Sequence, residues 1–122
     1  MRRFLLTAAG WLLTTTAVFA QLGGRWGLDI AACTAAFSDG VMEADLKAGI
    51  VRYYESACTI TAITPIGTMG MVWHTDLVCS GEGMTWNVER IFAVEEPFDG
   101  GPSRLTEIDL VDGFVVGRVR CP

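Results

Sequence analysis

The only histidine of this chain, His74, lies two residues before Asp76 in a segment that alternates polar and apolar residues. Residues two apart on a β-strand share a face, so the imidazole and the carboxylate are expected side by side. A hydrolase would also need a nucleophile held beside the imidazole. Thr61 has no strained turn to expose it, and no G-x-S-x-G motif occurs. We therefore expect His74 to pair with Glu89 on a solvated face, and we expect no catalytic residue.

Two further acids, Glu55 and Glu82, lie in turns beside cysteines. A glycosidase needs two carboxylates about 5 to 10 Å apart across a cleft, and the sequence indicates no cleft here. Glu82, between Gly81 and Gly83, is expected to cap its own turn. The acids of residues 95–99 do not have the spacing of an EF-hand loop. These patterns predict solvated turns rather than a catalytic pair or a calcium site.

Residues 53–92 must position these side chains, and their alternation predicts three antiparallel strands with glycine-bearing turns at residues 66–70 and 80–83. The first turn places Cys58 opposite Cys79. A slip of one residue would exchange the two faces of each strand. Both predicted hairpins place the same residues on the inner face, so together they fix which face is inside. The predicted core face is Cys58, Ile60, Leu77, Cys79, Met84, Trp86 and Val88. The predicted wet face is Thr59, Thr61, His74, Asp76, Asn87 and Glu89.

The second predicted turn also places Trp73 opposite Arg90 on the inner face. An arginine on that face needs a partner, and stacking on the indole of Trp73 would supply one. An arginine and a tryptophan at the mouth of a barrel are also typical of a ligand or partner site. Both interpretations stay open, and Trp73 and Arg90 are the candidate binding residues.

The four cysteines are Cys33, Cys58, Cys79 and Cys121, an even number typical of disulfides in a short exported chain. Three pairings are possible. The hairpin register favours Cys58–Cys79, which leaves Cys33–Cys121 to join the two ends of the domain. A zinc site is the alternative, but the chain has no C-x-x-C motif and one histidine. We expect structural disulfides, with no metal site and no cofactor.

Residues 1–20 have a basic start, a largely apolar stretch and the ending Val18-Phe19-Ala20, which together predict a signal peptide cleaved before Gln21. An uncleaved membrane anchor is the alternative. Loss of Arg2 and Arg3 leaves seven basic and fourteen acidic residues in one domain, residues 21–122, a net charge of −7. Such a domain is expected to be a periplasmic or secreted monomer that binds neither nucleic acid nor a membrane.

The remaining segments predict a short helix and further strands. Residues 28–37 are rich in alanine, with Asp29 as N-cap and a stop at residues 38–40. Residues 41–46 and 50–54 then read as two strands. Asp-Gly at 112–113 predicts the turn of the last hairpin, formed by residues 104–111 and 114–121.

In that last hairpin, Ile108 and Leu110 are expected to face inward, while Glu107 and Arg118 form an ion pair on the outer side. These segments give seven strands, with an eighth around Trp26. The predicted fold is an all-β antiparallel meander, a small barrel or curled sheet of seven or eight strands with a short N-terminal helix and two disulfides.

Three motifs, YESACTI at 54–60, CSGEG at 79–83 and RCP at 120–122, resemble those of small exported, disulfide-containing proteins of unknown function from Gram-negative bacteria. The resemblance covers most of the chain after residue 20 and implies no activity. Residues 24–26, Gly-Arg-Trp, match the G-x-W that opens lipocalin-like barrels. In size, export and disulfides the chain is similar in outline to the periplasmic inhibitors of c-type lysozyme.

These observations predict an exported periplasmic binding domain, not an enzyme, whose partner is an envelope protein or a small ligand. One alternative is an inhibitor of a cell-wall hydrolase such as lysozyme, which would meet a basic enzyme through the acidic loop Glu95–Asp99. Another is a lipocalin-like carrier of a small apolar ligand, with a cavity lined by Met71, Trp73 and Met84.

Overall fold

A computed structural model describes residues 21–34 and 40–122 of the chain. The described residues form a closed antiparallel barrel in which consecutive strands pair and β8 pairs back with β1. The strands are β1 Gly24–Gly27, β2 Val41–Asp45, β3 Ile50–Tyr53, β4 Ser56–Pro65, β5 Val72–Gly81, β6 Met84–Glu95, β7 Arg104–Asp109 and β8 Val115–Arg120. The all-β prediction and the barrel are therefore confirmed. The predicted signal peptide, residues 1–20, lies outside the described residues.

A single helical turn, α1 Ile30–Thr34, follows β1. Asp29 caps it as predicted, because its Oδ1 accepts a hydrogen bond from the backbone N–H of Ala32 at 2.8 Å. The predicted continuation to residue 37 and the stop at 38–40 fall largely on residues 35–39, which the structure does not describe, so the full helix stays a prediction. Within the described residues, no helix has the length and apolar character needed to cross a membrane.

The middle of the barrel is filled by large apolar side chains. The indole N–H of Trp26 donates to the backbone oxygen of Leu22 at 2.9 Å, which ties the residues before β1 to the core. Burial of each such side chain stabilises the fold by about 1.5 to 3 kcal/mol. The largest apolar residues that are at most 1% exposed are Leu22, Trp26, Met42, Trp73, Leu77, Phe92 and Leu105.

Both predicted disulfides are present. Cys58–Cys79 joins β4 to β5, and Cys33–Cys121 joins α1 to the residue that follows β8. The predicted register of the first hairpin is also correct from the cysteines to Ile60. A bulge then follows, so that Ala62 pairs with Asp76 rather than with Thr75 as the alternation predicted.

The register of the β5–β6 hairpin differs from the prediction. Its turn consists of Glu82 and Gly83, which have φ of 51° and 77°. Two-residue turns with positive φ at both positions match the twist of antiparallel strands. Gly81 therefore pairs with Met84, and Trp86 moves to a position opposite Cys79. The prediction that Met84 and Trp86, at the start of β6, belong to the core is wrong, because they are 66% and 39% exposed.

The inward face of β7 is also the opposite of the predicted one. Glu107 and Asp109 are buried, whereas Ile108 is partly exposed and Leu110 is 45% exposed. Glu107 does pair with Arg118, as predicted, but the pair lies inside the barrel. Glu107 and Asp109 share the inner face with Leu105, because an arginine buried in the core needs carboxylates around it, and Ile108 therefore faces outward.

Candidate functional site

One end of the barrel interior holds charged side chains, centred on Arg90 of β6. The Nη1 of Arg90 donates to Glu107 Oε2 at 2.9 Å, and its Nε donates to Asp109 Oδ2 at 3.0 Å. The guanidinium carbon also lies 4.8 Å from the ring centre of Tyr53 and 5.4 Å from that of Phe114. Arg90 is therefore held by two charges and two aromatic faces.

Glu107 is shared by three neighbours. Besides Arg90, the hydroxyl of Tyr53 donates to its Oε2 at 2.5 Å, and Arg118 Nη1 donates to its Oε1. The side chain of Glu107 is 1% exposed and that of Arg118 is 8% exposed. Two guanidinium groups thus face two carboxylates, so the charges balance. We call Tyr53, Arg90, Glu107, Asp109 and Arg118 the buried ion network.

The pKa values of the network follow from its contacts. Burial alone would raise the pKa of Asp109, but hydrogen bonds from the N–H of Asp112, from Arg90 and from the N–H of Val111 lower it below its usual value. Burial and the charge of Glu107 raise the pKa of Tyr53. Burial lowers the pKa of Arg90, but the neighbouring Tyr53 and Glu107 outweigh it and raise the pKa. These pKa shifts keep Asp109 ionised, Arg90 charged and Tyr53 neutral near neutral pH.

The structure separates the two candidate binding residues. Trp73 faces Phe92, and Arg90 faces Thr75, because the β5–β6 turn lies further along the chain than predicted. Trp73 is completely buried, and Arg90 has a side chain that is 12% exposed. The predicted stacking of Arg90 on Trp73 is therefore wrong, since the aromatic partners of the guanidinium are Tyr53 and Phe114.

Sequence reasoning missed the buried ion network, although a signal for it was present. Arg90 was assigned to the inner face, and an inward arginine requires acids on a neighbouring strand. Glu107 and Asp109 have the spacing of two that places both on one face of β7, and Arg118 on β8 supplies the second cation.

The same end of the barrel carries an exposed apolar surface on two hairpin turns. Tyr54 follows β3, and Met84 and Trp86 begin β6; their exposed fractions are 48%, 66% and 39%. Glu55 and Glu82, one in each turn, have positive φ of 66° and 51°. These residues line one shallow depression. We call Tyr54, Glu55, Glu82, Met84 and Trp86 the hairpin surface.

Close packing of backbone holds the hairpin surface in one shape. A Cβ at Gly81 would lie 2.3 Å from the carbonyl oxygen of Glu55, so the two turns pack with no room for a side chain at that position. The Cys58–Cys79 disulfide lies two residues from Ser56 and from Gly81, where β4 begins and β5 ends. The exposed side chains are thus presented on a rigid support, which lowers the ordering cost of binding.

His74 lies on the outer face of β5, as predicted, and its Nε2 is 2.6 Å from Glu89 Oε1. The donor atoms of His74, Asp76 and Glu89 all lie within 4.8 Å of one another. Thr61 donates to the backbone oxygen of Asp76 at 3.1 Å.

The acidic loop lies at the opposite end of the barrel, between β6 and β7. Two of its carboxylates bind within the loop: Glu96 accepts from the Ser103 hydroxyl at 2.7 Å, and Asp99 accepts from the N–H of Gly101 at 2.9 Å. Phe98 is fully exposed. This loop therefore offers one isolated aromatic side chain, whereas the hairpin surface groups three apolar side chains together.

Comparison with protein-family models, with curated proteins and with solved structures found no match for this chain. A function has to be inferred from the barrel's own side chains.

Proposed function

We propose that this chain is an exported domain that binds a basic protein partner in the cell envelope through the hairpin surface. The observation that carries the proposal is the exposure of Tyr54, Met84 and Trp86 together on two turns joined by close backbone packing. Tyrosine, tryptophan and methionine are enriched in protein interfaces because they bury much apolar area with few rotatable bonds.

Export to the periplasm is supported by two independent features. The two disulfides fit an oxidising compartment outside the cytoplasm. The predicted signal peptide of residues 1–20 supplies a route to that compartment.

The basic character of the partner follows from charge. Glu55 and Glu82 flank the apolar side chains of the hairpin surface, and the domain after residue 20 has a net charge of −7. Complementary charge at the rim of an interface speeds association and is weakened by salt. A basic partner with an exposed apolar patch fits this surface.

A filled core favours surface binding over the carrier alternative. Side chains that line a cavity keep area that a water molecule can touch, yet Trp26, Trp73 and Phe92 are 0% exposed. Met84 instead faces solvent, since it is 66% exposed. The side chains expected to line a common cavity therefore do not share one.

Inhibition of a basic cell-wall hydrolase is the second candidate. The acidic domain and the left-handed turn that holds Glu82 at a hairpin tip favour insertion of this carboxylate into a basic cleft. The hairpin surface suits this role better than the acidic loop, whose Glu96 and Asp99 are bound within the loop.

The test of partner binding starts from the full chain, exported by a bacterial host so that both disulfides form. The purified domain is immobilised and exposed to envelope extract. Envelope proteins that it retains at low salt and releases at moderate salt are purified, and their affinities for wild type and variants are measured. We expect Met84→Ser with Trp86→Ser to weaken binding at least about 10-fold, because central aromatic anchors carry most interface energy.

Phe98→Ser is the matched control, since it removes one exposed aromatic side chain at the other end of the barrel. Binding that survives the hairpin double substitution but is lost with Phe98→Ser would overturn the proposed surface. For the inhibitor candidate, hydrolysis of cell-wall suspensions by c-type lysozyme is measured with excess protein. Full lysozyme activity at low salt would remove that enzyme as the target and leave the binding proposal intact.

A further inference from the structure

We propose that the outer face of β5 and β6 binds one divalent transition-metal ion such as Zn²⁺ through His74, Asp76 and Glu89. The donor atoms of these side chains lie within 4.8 Å of one another. This site is separate from the hairpin surface and does not depend on the proposed partner binding.

Strand register brings the three donors together. His74 and Asp76 are two residues apart on β5, so they share its outer face. Glu89 pairs with Asp76 across the β5–β6 ladder and points to the same side, where it meets the imidazole diagonally. Both strands belong to the most extensively paired hairpin of the described barrel, from Val72 paired with Ala93 to Gly81 paired with Met84. The donors therefore stand on a firm support.

The distances are close to those of a zinc site. Zinc binds imidazole nitrogen and carboxylate oxygen at about 2.0 to 2.2 Å, so tetrahedral donors stand about 3.4 Å apart. His74 Nε2 and Glu89 Oε1 are 2.6 Å apart. A metal ion bound by both atoms needs them to separate by less than 1 Å by this comparison. Asp76 is exposed, so its side chain can rotate toward the ion.

The charge of the cluster favours a cation. Two carboxylates face one imidazole, which supplies at most one positive charge. The adjacent depression is lined by the uncharged Thr61, Asn87 and Val111 as well as by the two acids. A nitrogen donor together with two oxygen donors suits zinc and its neighbours in the transition series better than calcium, which takes six to eight oxygen ligands.

Three protein ligands leave one tetrahedral position open to water. The ion is therefore exchangeable, in contrast to the closed four-ligand sites that hold small domains together. In this domain the two disulfides hold the fold together. We expect the barrel to stay folded after a chelator removes the metal, although bound metal raises the melting temperature by mass action.

The experiment titrates ZnCl₂ into the exported full chain, prepared without a histidine tag and dialysed against chelator. Calorimetry should report one ion per chain, and the resonances of the single imidazole should shift in the NMR spectrum. We expect His74→Ala to weaken zinc binding at least about 10-fold, since loss of even an outer-shell partner commonly costs 10- to 100-fold. Asp76→Asn and Glu89→Gln should each weaken it as well.

Glu43→Gln is the matched control, because it removes the same charge from an exposed pair with Arg52 on β2 and β3. This variant should bind zinc as the wild type does. Circular dichroism of His74→Ala verifies that the barrel remains folded. The proposal is overturned if wild type shows no saturable zinc binding or if His74→Ala binds zinc as tightly as wild type. It is also overturned if wild type and His74→Ala both bind calcium as tightly as wild type binds zinc.

Discussion

Arg90 shows how a single residue sets the arrangement of its neighbours. It stands on the inner face of β6 with a side chain that is 12% exposed, so its charge must be met inside the barrel. Glu107 and Asp109 meet it, and their inward positions on β7 leave Ile108 on the outer face. Removing the partners of a buried charge lowers the free energy of unfolding far more than removing the partners of an exposed charge.

Replacement of Arg90 by methionine keeps the apolar stem but removes the guanidinium. Asp109 then loses its cation in a buried position, while Glu107 keeps Arg118. We expect Arg90→Met to lower the free energy of unfolding by about 3 to 5 kcal/mol. Guanidinium chloride denaturation monitored by circular dichroism measures the loss.

Arg52→Met is the control for that change. Arg52 and Glu43 form a pair at 3.5 Å whose side chains are 44% and 41% exposed. Solvent screens such a pair, so the expected loss is below about 1 kcal/mol. Equal losses for the two variants would show that the buried ion network does not hold Arg90 as the distances indicate.

The lowered pKa of Asp109 predicts acid sensitivity. Because its folded pKa lies below the ordinary value of about 3.9, the carboxylate stabilises the fold fully above that pH. This stability is lost as the pH falls toward the lower folded value. Denaturation curves between pH 3 and 7 should show the unfolding free energy falling below about pH 4.

Asp109→Asn separates this effect from that of the other acids. The amide cannot ionise, so the variant should be less stable than wild type at pH 7 and should lose less stability between pH 5 and 3. An acid slope identical to that of wild type would contradict the assignment to Asp109.

At the scale of the element, two hairpin turns are shaped by contact with each other. Glu55 and Glu82 both have positive φ, which L-residues rarely adopt, and Gly81 lies against the Glu55 carbonyl. The β5–β6 turn extends Met84 and Trp86 beyond the filled part of the barrel. The turn geometry, rather than the polarity of the side chains, thus decides what is exposed.

Gly81→Ala tests this packing. The new Cβ would lie 2.3 Å from the Glu55 oxygen, a backbone atom that cannot rotate away. We expect a loss of about 1 to 3 kcal/mol in the free energy of unfolding, measured by urea denaturation.

Gly117→Ala on β8 is the matched glycine, since a Cβ there meets nothing within 4 Å and its φ is not positive. We expect this change to be neutral or to stabilise by up to about 1 kcal/mol. A Gly81→Ala protein as stable as the Gly117→Ala protein would refute the close approach of the two turns.

At the scale of the whole molecule, the pairing of β8 with β1 closes the barrel and leaves no free strand edge between the two. Cys33–Cys121 reinforces this closure across 88 residues of chain, whereas Cys58–Cys79 spans 21. In the chain-entropy model the longer loop contributes about 4.6 kcal/mol and the shorter about 3.3 kcal/mol.

Cys33→Ala with Cys121→Ala should therefore cost about 1 kcal/mol more than Cys58→Ala with Cys79→Ala, as measured by thermal or chemical unfolding. The opposite order would show that packing around the buried Cys58–Cys79 pair outweighs loop closure. Both double substitutions remove one disulfide, so each serves as the control for the other.

The sequence by itself predicted an antiparallel meander of seven or eight strands, the disulfide pairing and the solvated face that carries His74. These features follow from local alternation, from turn residues and from the even cysteine count, all of which act over short stretches of chain. The pairing of Cys58 with Cys79 needed one hairpin register, and the alternation supplied it.

Only the tertiary structure decided which face of β7 is inside and where the β5–β6 turn lies. The first depends on Arg90 meeting Glu107 and Asp109 across strands, a contact between distant parts of the chain that outweighs the local apolar pattern. The second depends on the backbone angles at Glu82, which its residue type does not favour. The exposed position of Trp86 follows from that turn, because it carries the start of β6 past the filled core.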